Sequence, residues 1–124
     1  MIRALSCKRL APIKLDSFTP ELDGEVRHFD VGWLYDPRRP RERQAADRLL
    51  DTLAARRPDL RQRRNAPYLG KADGLTTSLR RIFPEDGYLG IELEINQRHP
   101  LGPKEPWQRL IDDLAEAVAE VHRP

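Results

Sequence analysis

The chain contains a single cysteine, Cys7, and no hydrophobic run that approaches the roughly 18 residues of a membrane span. One cysteine excludes an internal disulfide framework and a cysteine-based metal site, so a metal would have to bind through His, Asp or Glu. The segment from Met1 to Leu15 lacks the continuous apolar centre and the small-residue cleavage site of a secretory signal. We therefore expect a cytoplasmic protein without a membrane partner.

Core-forming residues are also scarce, because 39% of the 124 residues are hydrophobic, 6% are aromatic and 11 are proline. A chain of this length is expected to form one domain with a modest core. Its 22 basic and 20 acidic residues nearly cancel. No global field attracts nucleic acid, which makes nucleic acid an unexpected partner.

Arginine is nonetheless concentrated in two short segments, Arg38 to Arg43 and Arg56 to Arg64. Solvated helix ends explain such clusters, because cations are favoured near a helix C-terminus. A patch that binds anions or nucleic acid is the alternative.

Hydrophobic periodicity predicts two long amphipathic helices separated by shorter elements. Between Pro40 and Arg56 apolar residues recur at helical spacing, and Pro40 suits a first helical position. A second apolar stripe follows Pro106 and continues to His122. The shorter elements are strands over about 29–35 and 59–63 and a helix over about 76–83. This alternation indicates an α/β sheet with helical cover.

The clearest strand covers residues 89–96, where apolar and polar side chains alternate strictly. Glu92 and Glu94 leave the same face roughly 6.5 Å apart, which is close enough for one carboxylate to tune the other as a general acid or base. The alternative is a half-buried edge strand whose solvated charges discourage aggregation. Chemistry in α/β sheets lies at the carboxyl ends of strands, and Glu94 is close to such an end.

A dense group of polar residues precedes this strand, comprising Asn65, Tyr68, Asp73, Thr76, Thr77 and Arg80. A helix that starts at Thr76 would offer free backbone N–H groups to an anion, and Arg80 can grip a carboxylate. An ordinary helix capped by Asp73 or Thr76 is the alternative. The three histidines have no metal-ligand spacing, although His99 follows the strand end closely enough to reach a site there.

Several motifs, in this order, resemble the N-formylglutamate amidohydrolase family. They are Ser17-Phe18-Thr19-Pro20, Asp30-Val31-Gly32-Trp33-Leu34-Tyr35-Asp36, Asn65-Ala66-Pro67-Tyr68, Asp73-Gly74-Leu75-Thr76-Thr77 and Ile91-Glu92-Leu93-Glu94-Ile95-Asn96-Gln97. The similarity runs from about Asp16 to Val121 and corresponds to the C-terminal half of that family.

The resemblance implies a partial three-layer α/β/α sandwich of the phosphorylase/hydrolase-like, zinc carboxypeptidase-like type, lacking its N-terminal strands. Residues 1–15 would form an undetermined N-terminal segment, and residues 16–124 the C-terminal part of the domain. The implied activity is zinc-dependent cleavage of the amide C–N bond of an N-formyl or N-acyl amino acid.

Residue roles follow from the same resemblance. Glu94 would be the general base that activates a zinc-bound water, while Asn65, Tyr68, Thr76 and Arg80 would surround the carboxylates of the substrate. Asp16 replaces the metal-binding histidine that precedes Ser-Phe-Thr-Pro in the family, and the other ligands belong to a half absent from this sequence. The chain is therefore expected to be a truncated or frame-disrupted member.

Three hypotheses follow for the polypeptide itself. The first is a zinc-dependent amidohydrolase, and the second is a catalytically inactive remnant or subunit that needs a partner. The third is an arginine-rich module that binds nucleic acid or another anion. A sheet edge exposed by the missing strands would favour self-association.

Overall fold

The computed structural model describes residues 13–72, 74–83 and 88–122. Six strands, one 3-10 turn and three helices lie within these ranges. In chain order they are β1 (Lys14–Phe18), β2 (Glu21–Leu22), β3 (Glu25–Val26), β4 (Val31–Leu34), α1 (Pro40–Arg56), β5 (Gln62–Arg64), the 3-10 turn Gly70–Ala72, α2 (Gly74–Ile82), β6 (Glu92–Asn96) and α3 (Lys104–His122).

The predicted helix from Pro40 to Arg56 is confirmed, with Pro40 at its start. The final helix begins at Lys104, two residues before the predicted start at Pro106. Because α2 begins at Gly74, Thr76 lies within the helix, so the prediction that it caps the helix is wrong. The other predicted cap, Asp73, and most of the segment 1–15 lie outside the described residues.

Four strands form a mixed sheet in the order β1-β6-β4-β5, while β2 and β3 form a separate hairpin. β1 runs parallel to β6, β4 runs antiparallel to β6, and β5 runs parallel to β4. The carboxyl ends of β1 and β6 therefore meet at one end of the sheet and those of β4 and β5 at the other. The structure thus establishes an α/β fold with a mixed sheet, and the three-layer sandwich stays a prediction.

One face of the sheet packs against α1 and α3. Strand residues alternate between faces, so Val31, Trp33, Leu93 and Ile95 all point toward these helices. The helices contribute their apolar stripes, which include Ala46, Leu49, Leu53, Leu110, Leu114 and Ala117. At roughly 25 cal/mol per Å² of buried apolar surface, this layer is the main stabilising term of the fold.

The opposite face of β6 carries Glu92, Glu94 and Asn96, and all three side chains are buried. The prediction of a half-buried edge strand with solvated carboxylates is therefore wrong. β6 lies between β1 and β4 in the interior of the sheet, and the alternation in its sequence separates an apolar buried face from a polar buried face. Buried carboxylates need hydrogen-bond partners, so this second face is a candidate for chemistry.

A buried ion pair joins α1, α2 and the segment before β6. The Glu42 carboxylate accepts bonds from Arg80 Nε at 2.9 Å and Nη2 at 2.9 Å, and from the backbone N–H groups of Asp36 at 2.9 Å and Gly90 at 3.0 Å. Arg39 Nε lies 3.2 Å from the same carboxylate. The side chain of Glu42 is fully buried and that of Arg80 is only 7% exposed, so the pair fixes how three elements meet.

None of the helices in the described ranges is both long enough and apolar enough to cross a membrane.

Replacing Arg80 with Met should lower the free energy of unfolding by roughly 3 kcal/mol, because Glu42 would keep its buried charge and lose its main partner. This loss of unfolding free energy should lie at the low end of the range for a broken buried ion pair, because Arg39 remains beside Glu42. Denaturant unfolding measures it, with Arg81→Met as the control because Arg81 is exposed on the same helix. The double variant Arg80→Met/Glu42→Gln should be more stable than Arg80→Met, and equal losses in the two variants would contradict this account.

Candidate functional site

Two carboxylates lie side by side on the polar face of the sheet. The register pairs Asp16 of β1 with Glu94 of β6, and it pairs Gly32 of β4 with Glu94 on the other side. Neighbouring strands are about 4.8 Å apart and paired residues share a face, so the two side chains leave the sheet together. Glu94 is only 3% exposed while Asp16 is exposed, and the Asp16 carboxylate accepts the Ser17 N–H at 2.8 Å. The two predicted residues are thus brought together.

Glu92, the other carboxylate of this strand, is committed to neighbouring side chains. Thr76 Oγ1 donates to Glu92 Oε1 at 3.3 Å, and Lys14 Nζ lies 4.0 Å from Glu92 Oε2. Thr76 is itself buried. The predicted substrate residue Thr76 therefore anchors α2 to the sheet through Glu92.

The segment 65–70 crosses the polar face as a loop. It follows β5 in the chain and begins with Asn65, which lies beside the carboxyl end of β4. The Asn65 side-chain oxygen accepts the N–H groups of Tyr35 and Gly70, each at 3.0 Å. The chain then passes so close to the sheet that a Cβ at Gly32 would overlap the carbonyl oxygen of Ala66. Because Gly32 is in register with Glu94, the loop covers the sheet directly beside the buried carboxylate.

Tyr68 lies in this loop and is 47% exposed. The guanidinium of Arg27 lies 5.6 Å from the centre of the Tyr68 ring and 5.8 Å from the centre of the Phe18 ring at the end of β1. Of the four predicted substrate residues, Tyr68 is the one whose side chain is well exposed near the carboxylate face. Asn65 instead holds the loop in shape.

Arg80 does not project from α2 into an open site. Its guanidinium donates to Glu42 and to the carbonyl groups of Gly70 at 3.4 Å and Gly90 at 2.8 Å. The predicted helix N-terminus also has local contacts, since Thr77 Oγ1 donates to the Lys71 carbonyl at 2.9 Å. These two residues connect α2 to its surroundings.

A further polar group at the start of β4 was not singled out from the sequence. Asp30 is buried, its Oδ2 accepts the Arg61 N–H at 2.7 Å, and its Oδ1 lies 2.8 Å from His99 Nε2 and accepts from Arg98. Burial raises the pKa of the Asp30 carboxyl, but the bonds from Arg61, Arg98 and His99 outweigh it and hold the pKa below its ordinary value of 3.8. The sequence placed His99 near the end of β6, yet only the antiparallel pairing of β4 and β6 brings Asp30 there.

The set of possible metal ligands on the polar face is small. Across residues 13–72, 74–83 and 88–122, no group of three or more His, Cys, Asp or Glu side chains is arranged to hold a metal ion. Asp16 and Glu94 supply two carboxylates, whereas catalytic zinc sites use three protein ligands. The described residues therefore do not complete the zinc site that the resemblance implies.

Comparison with solved structures finds a similar fold in gene product Atu2144 from Agrobacterium tumefaciens, with a TM-score of 0.57 and 26% sequence identity. The match covers 98% of this chain and 47% of that chain, so this chain spans about half the length of the protein it resembles. No family model matches the chain, and no curated protein matches it. Nearly the whole chain thus shares its α/β arrangement with part of a longer protein.

Replacing Asp30 with Asn should destabilise the fold at neutral pH by roughly 1–3 kcal/mol, because the charged acceptor of three donors is lost. A carboxyl whose pKa is lowered by folding contributes stability above its unfolded pKa and loses it as the pH falls through the folded pKa. The difference between the wild type and Asp30→Asn should therefore shrink below about pH 4.

Urea unfolding at pH 7 and at about pH 3.5 measures this difference. Asp51→Asn is the control, since Asp51 is an exposed aspartate on α1. A penalty for Asp30→Asn that is the same at both pH values would contradict the assignment.

Proposed function

We propose that the chain provides the carboxylate face of an N-formylglutamate amidohydrolase-like hydrolase, which cleaves the amide C–N bond of an N-formyl or N-acyl amino acid. The observation that carries the proposal is the register of Asp16 with Glu94, whose neighbour on the other side, Gly32, is covered by the 65–70 loop. The proposal includes the three-layer α/β/α sandwich, with α2 forming the cover of the polar face. Its starting point is the family resemblance of the motifs that contain these residues.

Glu94 is the proposed general base. Its carboxylate takes a proton from the attacking water, the water oxygen bonds to the acyl carbon, and the same proton is delivered to the departing nitrogen as the C–N bond breaks. The products are the free amino acid and, from an N-formyl substrate, formate. The burial of Glu94 supports this role because a base shielded from bulk water keeps a fixed position.

The four proposed substrate residues divide into two kinds. Tyr68 is the proposed contact residue, since its exposed ring lies next to Arg27 beside the carboxylate face. Asn65, Thr76 and Arg80 are proposed as positioning residues, because their polar atoms hold the loop, Glu92 and Glu42 respectively.

Zinc belongs to the proposal through the resemblance, and Asp16 is the described residue that would help to hold it. Since the described residues do not complete such a site, the steps assigned to Glu94 do not pass through a metal. The same observation favours a second candidate function, a catalytically inactive subunit that becomes complete only with a partner.

The activity test is formate release from N-formylglutamate by the full chain, with and without added zinc, together with a measurement of bound zinc per chain. If the chain is an active hydrolase, zinc binds stoichiometrically and Glu94→Gln lowers turnover by about 10²–10⁴-fold, the range for loss of a general base. Glu120→Gln on the exposed side of α3 is the matched control. No zinc and no turnover would reject the active enzyme and favour the partner-dependent subunit.

Self-association is the proposed use of the sheet edge at β1. Among the described residues β1 is a terminal strand of the sheet, Leu15 is 59% exposed, and an apolar groove of about 410 Å³ runs between β1 and α3. Ile13, Leu15 and Val118 are among its lining residues. An edge strand beside an apolar groove invites pairing with a second copy of the chain.

Light scattering across a concentration series should show wild-type dimers or larger species, and Leu15→Lys should shift them to monomers. A lysine on an edge strand blocks pairing by placing a charge in the interface. Leu101→Lys is the control, because Leu101 is 81% exposed in a turn and does not line the groove. A wild type that stays monomeric at every concentration would refute association through this edge.

A further inference from the structure

A cationic pocket lies beside β3, β4 and β5, and neither Asp16 nor Glu94 lines it. We call it the arginine pocket. Its volume is about 500 Å³, and its charged lining residues are Arg27, Arg61, Arg63 and Glu25. His28 also lines it, and Phe29 and Pro67 are among the residues that provide apolar surface. This volume is in the range of small-molecule sites, which are mostly about 300–1,000 Å³.

Arg61 and Arg63 belong to the second sequence cluster, and they differ, as Arg27 does, from the arginines of the clusters that pair with carboxylates. Arg38 pairs with Asp36, Arg57 with Asp59 and Asp113, and Arg64 with Asp47. Within the part of the chain that the structure describes, Arg27, Arg61 and Arg63 form no ion pair with a carboxylate. Arg61 and Arg63 of the second cluster, together with Arg27, thus bring positive charge that no carboxylate partner among the described residues compensates to one cavity.

Aromatic rings and backbone bonds hold these three residues in place. The guanidinium of Arg63 lies 5.4 Å from the centre of the Phe29 ring, and Arg27 contacts the Phe18 and Tyr68 rings while donating to the Thr19 carbonyl at 3.2 Å. The Arg61 backbone is fixed by Asp30, which accepts its N–H at 2.7 Å and donates to its carbonyl at 2.8 Å. Contacts with ring faces leave the N–H edges of a guanidinium available to an anion.

We propose that the arginine pocket binds a small organic dianion, either a phosphate monoester or a dicarboxylate. Three arginines and one glutamate line the pocket, which leaves a surplus of two positive charges for the ligand to neutralise. The planar fork of arginine matches both carboxylate and phosphate groups, and the apolar part of the lining suits an organic body. The proposal does not rest on the hydrolase function, since it uses neither Glu94 nor a metal.

Calorimetric titration at fixed ionic strength measures binding to the site directly. A stability measurement would also respond to the general stabilisation that phosphate gives to folded proteins. The probes are phenyl phosphate and glutarate, with acetate as the monoanion. We expect one of the two dianions to bind at least tenfold more tightly than acetate, with a stoichiometry of one dianion per chain. Its affinity should fall as the chloride concentration is raised. Preference for phenyl phosphate or glutarate identifies which class of dianion the pocket takes.

Arg61→Gln and Arg63→Gln should each weaken the preferred dianion by about tenfold or more, because each removes a charge-assisted donor. Both residues are exposed, so these variants are expected to fold, and circular dichroism checks that they do. Arg109→Gln is the matched control, as Arg109 is an exposed arginine on α3. Repeating the titration with Glu94→Gln, without zinc, tests whether dianion binding is independent of the residue proposed for catalysis.

Two results would overturn the proposal. One is that neither dianion binds more tightly than acetate. This holds also if a DNA duplex, titrated as a further probe, binds to the chain and is weakened by the two arginine variants. The other is that Arg61→Gln and Arg63→Gln bind the dianion as well as Arg109→Gln does.

Discussion

Glu42 occupies the first turn of α1, and its fully buried carboxylate is the point at which the other elements converge. It takes donors from the end of β4 at Asp36, from α2 at Arg80 and from the approach to β6 at Gly90. A buried carboxylate is costly unless its oxygens are fully bonded, so these elements have one arrangement that satisfies it. The position of α2 over the polar face, and hence the cover of Glu92, depends on this single acidic residue.

The sequence predicted the long helices well because their apolar stripes are local signals that packing did not override. Pro40 to Arg56 needed no knowledge of its neighbours. Glu42 was not identified, because its main partner Arg80 lies 38 residues further along the chain and nothing in the local pattern marks the pair. The role of Arg80 could not be predicted for the same reason.

The carboxylate face shows the same division between local and long-range information. Alternation in β6 placed Glu92 and Glu94 on one face, but strand order decides whether that face is solvated, and strand order depends on pairing between distant segments. The family motif identified Asp16 as a candidate site residue, but no pattern in the sequence predicts that Asp16 pairs with Glu94 in the sheet. Asp30 and His99 are 69 residues apart, which explains why spacing alone could not join them.

Gly32 determines how far the covering loop stands from the sheet. The Ala66 carbonyl oxygen occupies the space that any side chain at position 32 would need, so the loop lies close to the sheet beside Glu94 because residue 32 has no side chain. A larger side chain at position 32 therefore cannot increase the distance between this loop and the sheet in small steps. A change in the size of molecule accepted there would have to come from a longer or differently anchored loop, with the sheet below left as it is.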